Sequence, residues 1–379
     1  MGRGRPSGYW AFAGGVILFR GIEPESPFRY PFGMNSIVIN APGCPLSHLG
    51  PYGNEWVATP NWDRLAAEGI VFDRHFATEP GAFATREAWK ESRSKTILIR
   101  NFRPNYEPNR PEGFAEVIDC PPDESDAGPW TGLLRELPAI LDRLDGKNLL
   151  IETDRMLPPW FAPQDVFEVY CEDLLEEDAT FTEAPEPWLD PPSGTFDRDD
   201  LTAWEWLHRT IAAAVTSFDA DLGRVFQLLR ENGFDQSSSW WFTSDHGFPL
   251  GEHGTLGIQN PRMFAEYAQL PAIVRLPNGV RNGERIAGFT LPDDLVRFDE
   301  GELQPREFAI SSNEYHASIR TEAYALLIGL TPESPDPQLF LKPDDQRELN
   351  DIRQAHFELA DEMEAKLRGA LAVNSQGFG

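Results

Sequence analysis

The 379-residue chain carries 33 Lys and Arg against 61 Asp and Glu, a formal net charge of −28. That balance excludes nonspecific nucleic-acid binding, which rests on Lys and Arg neutralising phosphates, and docking on an anionic membrane surface. It leaves room for an anionic small substrate at a local site. With 41% hydrophobic and 25% charged residues, the composition is that of a folded chain able to bury a full core without disulfides.

In chain order, the apolar stretch from Tyr9 to Phe19 follows Arg3 and Arg5 and is too short for a spanning helix. No small-residue cleavage pattern follows it, so residues 1–33 read as an N-terminal extension. Ser36 to Asn40 is a short apolar run ending in Ala41-Pro42-Gly43, the pattern of a buried strand and a loop. Thr59 and Pro60 open a helix, with Thr59 as N-cap and Pro60 in the first turn. Leu149-Leu150-Ile151 is a second strand, and the acidic, proline-rich residues 176–200 read as an exposed loop.

From Leu201 to Glu231 apolar residues recur at spacings of three and four, and Gly233 closes that helix. Ser239 to Thr243 and Ala272 to Leu276 are further strands. Strand, helix and strand in this order imply an open, mostly parallel α/β sheet with its chemistry at the carboxyl ends of the strands. Cys44, Cys120 and Cys171 form no CxxC pair. They announce neither a zinc knuckle nor a redox motif, and their sparse, odd count fits a reducing, cytoplasmic compartment.

Asp245 and His246 follow the Ser239–Thr243 strand, where a carboxylate and an imidazole can ligate a metal. Such a pair after a strand is also ordinary loop structure. The wider strings give it more weight. Trp241 to Gly247 with Leu250 to Gly254, Thr59 to Phe72, His48-Leu49-Gly50 with Tyr52-Gly53-Asn54, and Leu270 to Pro277 resemble the sulfatase family in order and spacing. A fainter match is Leu339 to Asp344.

The resemblance implies an α/β fold of the alkaline-phosphatase type: a large mixed, mostly parallel sheet between helices, with a small C-terminal α+β subdomain. The expected division is an extension at 1–33, the main domain at 34–306 and the subdomain at 307–379. The resemblance also implies hydrolysis of sulfate esters. A Cys matured to formylglycine attacks sulfur, calcium or magnesium neutralises the ester oxygens, and Arg, Lys and His hold the sulfate.

The departures fall on the residues this chemistry needs. The family frame Cys/Ser-x-Pro-x-Arg aligns with Ala82 to Arg86, so Ala82 stands at the nucleophile position and Arg86 alone survives. No formylglycine is expected from an alanine. Thr78 and Thr85 are nearby hydroxyls outside the nucleophile position. The first metal-binding acidic pair aligns with Pro42 and Gly43, neither of which has a side chain that can ligate, while Asn40 offers an amide oxygen two residues away. The place of a family Lys holds Ile258.

Arg86, Asp245 and His246 remain, with His253 as a weaker leaving-group contact and Asp219 as a structural residue of the long helix. The chain thus reads as a degenerate sulfatase in which ester hydrolysis is impaired or lost. Two alternatives stand. One is an active hydrolase rebuilt around Asp73, Glu79 or Glu87. The other is a non-catalytic binding protein that holds a small sulfate ester or sulfated sugar, with Trp62, Trp89 and Trp160 as candidate sugar contacts. No nucleic acid or membrane partner is expected, and calcium or magnesium binds only if a site survives.

Overall fold

The computed structural model describes residues 35–81, 83–104, 106–107, 109–123, 128–172, 186–259, 261–299 and 303–376. The 1–33 extension and Ala82 lie outside the described residues, as does much of the 176–200 loop. In chain order the strands are β1 (Asn35–Asn40), β2 (Ile70–Phe76), β3 (Thr96–Asn101), β4 (Glu116–Asp119), β5 (Asn148–Thr153), β6 (Gly194–Thr195), β7 (Ser238–Thr243), β8 (Thr255–Leu256), β9 (Gln269–Leu270), β10 (Ala272–Arg275), β11 (Glu284–Thr290), β12 (Ala309–Ser312), β13 (His316–Arg320), β14 (Tyr324–Gly329) and β15 (Gln338–Leu341).

Among the described residues the main sheet runs β11-β2-β10-β7-β1-β5-β3-β4, with β9 beside β2. β7, β1, β5, β3 and β4 are mutually parallel, and β10 is antiparallel to both of its neighbours. The strand expected at 272–276 is thus present as Ala272–Arg275 but runs against its neighbours. Both faces of the sheet are covered, as a largely parallel sheet requires. Ile37, Ile39, Ile97, Ile99, Leu149, Ile151, Trp240 and Phe242 face one core. Val38, Leu98, Leu150 and Trp241 face the other, where Trp89, Leu295 and Phe298 cover them.

The first face is closed by the helix Pro60–Ala67 and the long helix Leu201–Glu231. The long helix begins and ends where its periodicity and Gly233 indicate; Asp200 caps it, accepting from the Ala203 N–H at 3.0 Å. Thr59 does not cap the shorter helix as expected. Its hydroxyl instead accepts from Gly50 N–H at 3.0 Å. The cap is Asp219, from the middle of the long helix. Its carboxylate accepts from Asn61 N–H and Trp62 N–H, at 3.1 and 2.9 Å, and from the Asn61 amide at 2.9 Å. Burial pushes the Asp219 carboxyl up to about 6, against the pull of those donors. One turn on, Gly223 leaves the space that Asn61 fills: a Cβ there would lie 2.5 Å from Asn61 Oδ1.

The second sheet, β12-β13-β14-β15, is antiparallel and packs against the C-terminal helix Phe357–Gln376 through Ala360, Met363 and Leu367. Glu348 fastens this subdomain to the main domain. Its buried carboxylate takes Arg320 Nε and Nη2 at 3.0 Å and Lys342 Nζ at 3.2 Å, and accepts from Ala265 N–H at 2.7 Å. From the main domain, His253 Nε2 donates to the Glu348 carbonyl at 3.1 Å while Nδ1 meets Glu266 at 2.8 Å.

Asp219→Ala strands two helix N–H groups and the half-buried Asn61 amide, so urea denaturation is expected to show a loss of about 3 kcal/mol. For His253, burial opposes its charge, but Glu266 and Glu348 hold its pKa above the ordinary 6.5. The protonated ring is the bonded form. Its contribution is complete below about pH 6.5 and is lost as pH rises through the raised value. Stability measured across this range is expected to fall with rising pH in the wild type and to flatten in His253→Gln.

Candidate functional site

One register row crosses the sheet near the carboxyl ends of its parallel strands. Thr243 pairs with Asn40, Asn40 with Glu152, Glu152 with Arg100, and Arg100 with Asp119. These residues share the face of Val38, Leu98, Leu150 and Trp241, because side chains alternate along a strand. Above this face sits the short helix Ala84–Ala88, anchored by Trp89, whose ring meets Trp241 edge-on at 6.1 Å. That anchor sets Thr85 and Arg86 over the strand ends.

Asp245 reaches this helix from the end of β7. Its Oδ1 accepts from Thr85 N–H at 2.9 Å and from the Thr85 hydroxyl at 2.7 Å, and its Oδ2 accepts from the Asn40 amide at 2.8 Å. Asp245 is therefore the N-terminal cap of the Arg86 helix. Arg86 donates through Nε to Glu152 at 2.6 Å, and through Nη1 and Nη2 to the two oxygens of Glu107 at 2.5 and 2.7 Å. A second contact joins Nη2 to Glu152. The Phe83 ring lies 4.4 Å from its guanidinium carbon. Burial works against the Arg86 charge, yet Glu107 and Glu152 hold its pKa above the usual arginine value.

Glu152 is wholly buried, and its carboxyl is pushed up to about 7 by that burial, with Arg86 pulling the other way. Its Oε1 and the Asn40 Oδ1 are buried without hydrogen-bond partners. Glu107 continues outward to Arg100 at 3.3 Å, and Arg100 to Asp119 at 2.7 Å. Tyr106 lies close by: burial raises its phenol pKa, and Asp245, Asp154 and Glu152 add to the rise.

His246 stands near Gly81, where a Cβ would lie 3.9 Å from its Cδ2. Its Nδ1 donates to the Gly247 carbonyl at 2.8 Å, and burial lowers its pKa. The Tyr267 hydroxyl donates to the Pro80 carbonyl at 3.3 Å and lies 5.6 Å, ring to ring, from His246. The structure thus brings together Arg86, Asp245, His246 and Asn40. His253 belongs to the subdomain seam, where both ring nitrogens are engaged and the ring stacks 3.5 Å from Phe264.

The divalent cation implied by the resemblance does not fit the residues present. Gly43 has φ +83°, and a Cβ there would lie 2.5 Å from Leu157 Cδ2 and 2.8 Å from the Met156 carbonyl. A carboxylate side chain has no room at that position. The Pro42 side chain has no ligand atom to offer. Both Asp245 oxygens are turned to protein donors. Among the described residues no group of three His, Cys, Asp or Glu is disposed to hold a metal ion. No catalytic step is therefore routed through one.

Several expectations are corrected. Trp62, Trp89 and Trp160 are 0%, 7% and 2% exposed, packed in the interior rather than offered to a sugar. Among the described residues the exposed indole is Trp56, at 50%. Glu79 and Glu87 lie on the surface, and Asp73 is paired with Arg285 at 2.6 Å. The carboxylates actually gathered at the strand ends are Glu152 and Glu107, with Asp154 next along from β5. Glu152 and Asp154 were detectable by the reasoning that found Asp245, since both follow the apolar run Leu149–Ile151.

Residues 166–298 match the Sulfatase family model. Among curated proteins the chain is similar to an N-acetylglucosamine-6-O-sulfatase of Bacteroides thetaiotaomicron, at 29% identity over 25% of this chain and 17% of that protein. It is also similar to the steryl-sulfatase of Mus musculus, at 35% identity over 21% of this chain and 12% of that one. The matched stretches thus span less than a fifth of either curated relative. Among solved structures, one in complex with its substrate D-glucosamine-2-N,6-O-disulfate superposes with a TM-score of 0.65 and 16% identity, covering 91% of this chain and 98% of that one. The phosphonate monoester hydrolase of Agrobacterium radiobacter gives 0.64 and 19%, over 90% and 96%. Among the described residues no helix is long and apolar enough to cross a membrane. Over residues 166–298 the chain thus matches the Sulfatase family model, and over about nine-tenths of its length it shares the fold of these solved structures.

Proposed function

We propose that this sulfatase-fold protein does not hydrolyse sulfate esters by the family route. The observation that carries the reading is the engagement of Asp245. The carboxylate expected to hold the activating ion is spent on Thr85 and Asn40. The alanine at position 82, which has no nucleophilic atom, supports the same reading. So does Arg86, whose fork is bidentate on Glu107 and bound to Glu152. An arginine held by two carboxylates is a poor clamp for a sulfate anion, because the local charge is already negative.

A second reading, binding without turnover, is favoured by a cleft at the junction of the main domain and the subdomain. Two connected hollows of about 440 and 290 Å³ share Ser47, Asn54, Trp56, Glu252 and Arg347. Trp204 adds a second indole. Indole faces suit a sugar ring, and Arg347, 60% exposed and only loosely paired with Glu252 at 3.5 Å, is the cation within reach of an anionic group on it. Relatives named for action on sulfated glucosamines make a small sulfated sugar the first ligand to try.

For the first reading, a panel of aryl and sugar sulfates is assayed in calcium and in magnesium. No turnover above that of Asp245→Asn is expected. Thermal unfolding after chelation should show no saturable rise with either ion, whereas an ion at about 100 times its dissociation constant would add about 2.7 kcal/mol. Turnover that disappears in Asp245→Asn sinks the reading. For the second, tryptophan fluorescence is followed during titration with 6-O-sulfated glucosamine. Saturable binding is expected, weakened about tenfold or more in Trp56→Ala and in Arg347→Ala, a difference of about 1.4 kcal/mol. Equal affinity in all three proteins would remove the cleft from consideration.

A further inference from the structure

Carboxylates that meet at the ends of parallel strands need a counter-charge, because buried like charges repel strongly when little water screens them. Glu152 is 0% exposed and the Arg86 side chain 5% exposed. Glu107 closes over the guanidinium from the outer side with a side chain 14% exposed. Its two parallel N–H···O bonds to Arg86 are the geometry that makes arginine, rather than lysine, suited to such a place. Two further oxygens, Glu152 Oε1 and Asn40 Oδ1, belong to residues paired in the register row, and both are buried without hydrogen-bond partners.

Asp245 connects this arrangement to the loss of the ion site. Thr85, which Asp245 caps, immediately precedes Arg86. The carboxylate aligned with a family metal ligand here holds the short helix that delivers a guanidinium to the neighbouring carboxylates. We infer that Arg86 is the resident cation of this site. Its guanidinium supplies from within the chain the positive charge that Glu152 and Glu107 require, and the pocket it fills recognises a planar guanidinium-type cation. The inference deepens the reading of Pro42 and Gly43 as vacated ligand positions and concerns the same site.

The test is chemical rescue. Arg86→Ala leaves two facing carboxylates and a cavity the size of the lost guanidinium. Its thermal midpoint is expected to fall well below that of the wild type, then rise saturably with low-millimolar guanidinium or methylguanidinium. The same additions lower or leave unchanged the wild-type midpoint. Ammonium, lacking the fork, should rescue less, and Arg86→Ala/Glu152→Gln should lose the rescue. Calcium is run as a separate arm. A calcium response in Arg86→Ala that equals the guanidinium rescue overturns the inference, because the pocket would then read charge and not the planar fork. A saturable response to calcium in the wild type overturns it, since the site would then take an ion beside Arg86.

If Arg86→Ala does not fold alone, refolding with guanidinium present is the readout, and Arg86→Gln is measured beside it. Absence of rescue in both variants overturns the inference. Turnover of a sulfate ester by the wild type would instead overturn the functional proposal. The rescue result would stand apart from it, because it reads stability and not activity.

Discussion

The arrangement at the strand ends depends on a chain of alternating charges: Glu152, Arg86, Glu107, Arg100 and Asp119. It starts in the fully buried middle of the sheet and ends at the edge strand β4. Burying an ion pair withdraws both charges from water, and attraction offsets that only when the geometry is close and the remaining atoms are bonded. Here the inner link is the most desolvated and the outer links are progressively wetter. Asp119, the last member, has a side chain 46% exposed. Each carboxylate inside the chain touches an arginine and each arginine touches two carboxylates, so removing an inner member leaves its neighbours uncompensated. Such a network fixes the position of the short Ala84–Ala88 helix more tightly than its length would allow. Five residues are far below what holds a helix together alone.

Two aspartates perform the same task on opposite faces of the sheet. Asp219 caps the Pro60–Ala67 helix from the long helix, and Asp245 caps the Ala84–Ala88 helix from the end of β7. In each case a carboxylate remote in sequence satisfies the exposed N–H groups of a first turn, which local side chains usually serve. This explains why Thr59 misled. It occupies the N-cap position with the right side chain, but Gly50 N–H takes its hydroxyl and Asp219 supplies the cap. A cap drawn from more than 150 residues away leaves no local pattern, as the separation of Asn61 and Asp219 by 158 positions illustrates.

The fold was largely legible because its signals are local and periodic. The three- and four-residue spacing of Leu207 to Leu229 located the long helix, and the apolar runs at 36–40, 149–151 and 239–243 located three adjacent parallel strands. The direction of β10 was not legible, since an apolar run carries no sign of which way it runs. The site was legible only in part. Asp245, Arg86 and Asn40 do converge, but Glu107 lies in a loop with no periodic signal. Only the pairing of β3 with β5 brings Arg100 into register with Glu152. The tryptophans failed as site markers for a simple reason. Loop-adjacent indoles such as Trp62 and Trp160 are large apolar bodies, and burial claims them before a ligand does.

The strings that carry the family resemblance are, on this structure, mostly strings that build the scaffold. In the segment from Thr59 to Phe72, Asn61 meets Asp219, Trp62 packs edge-on against Phe218 and Phe242 at 5.5 and 5.1 Å, and Leu65 is buried. Gly69 passes so close to the Val274 carbonyl that a Cβ would approach it to 2.4 Å. None of these residues touches the strand-end charges. Packing restricts them independently of any chemistry at the strand ends. Gly43 illustrates the converse. Leu157 and the Met156 carbonyl have closed around it, so restoring a carboxylate there would require the 156–157 backbone to move as well as one residue to change. Around Gly43 the Leu157 side chain and the Met156 carbonyl leave no space for a longer side chain, and beside this loop Arg86 balances the charges of Glu152 and Glu107.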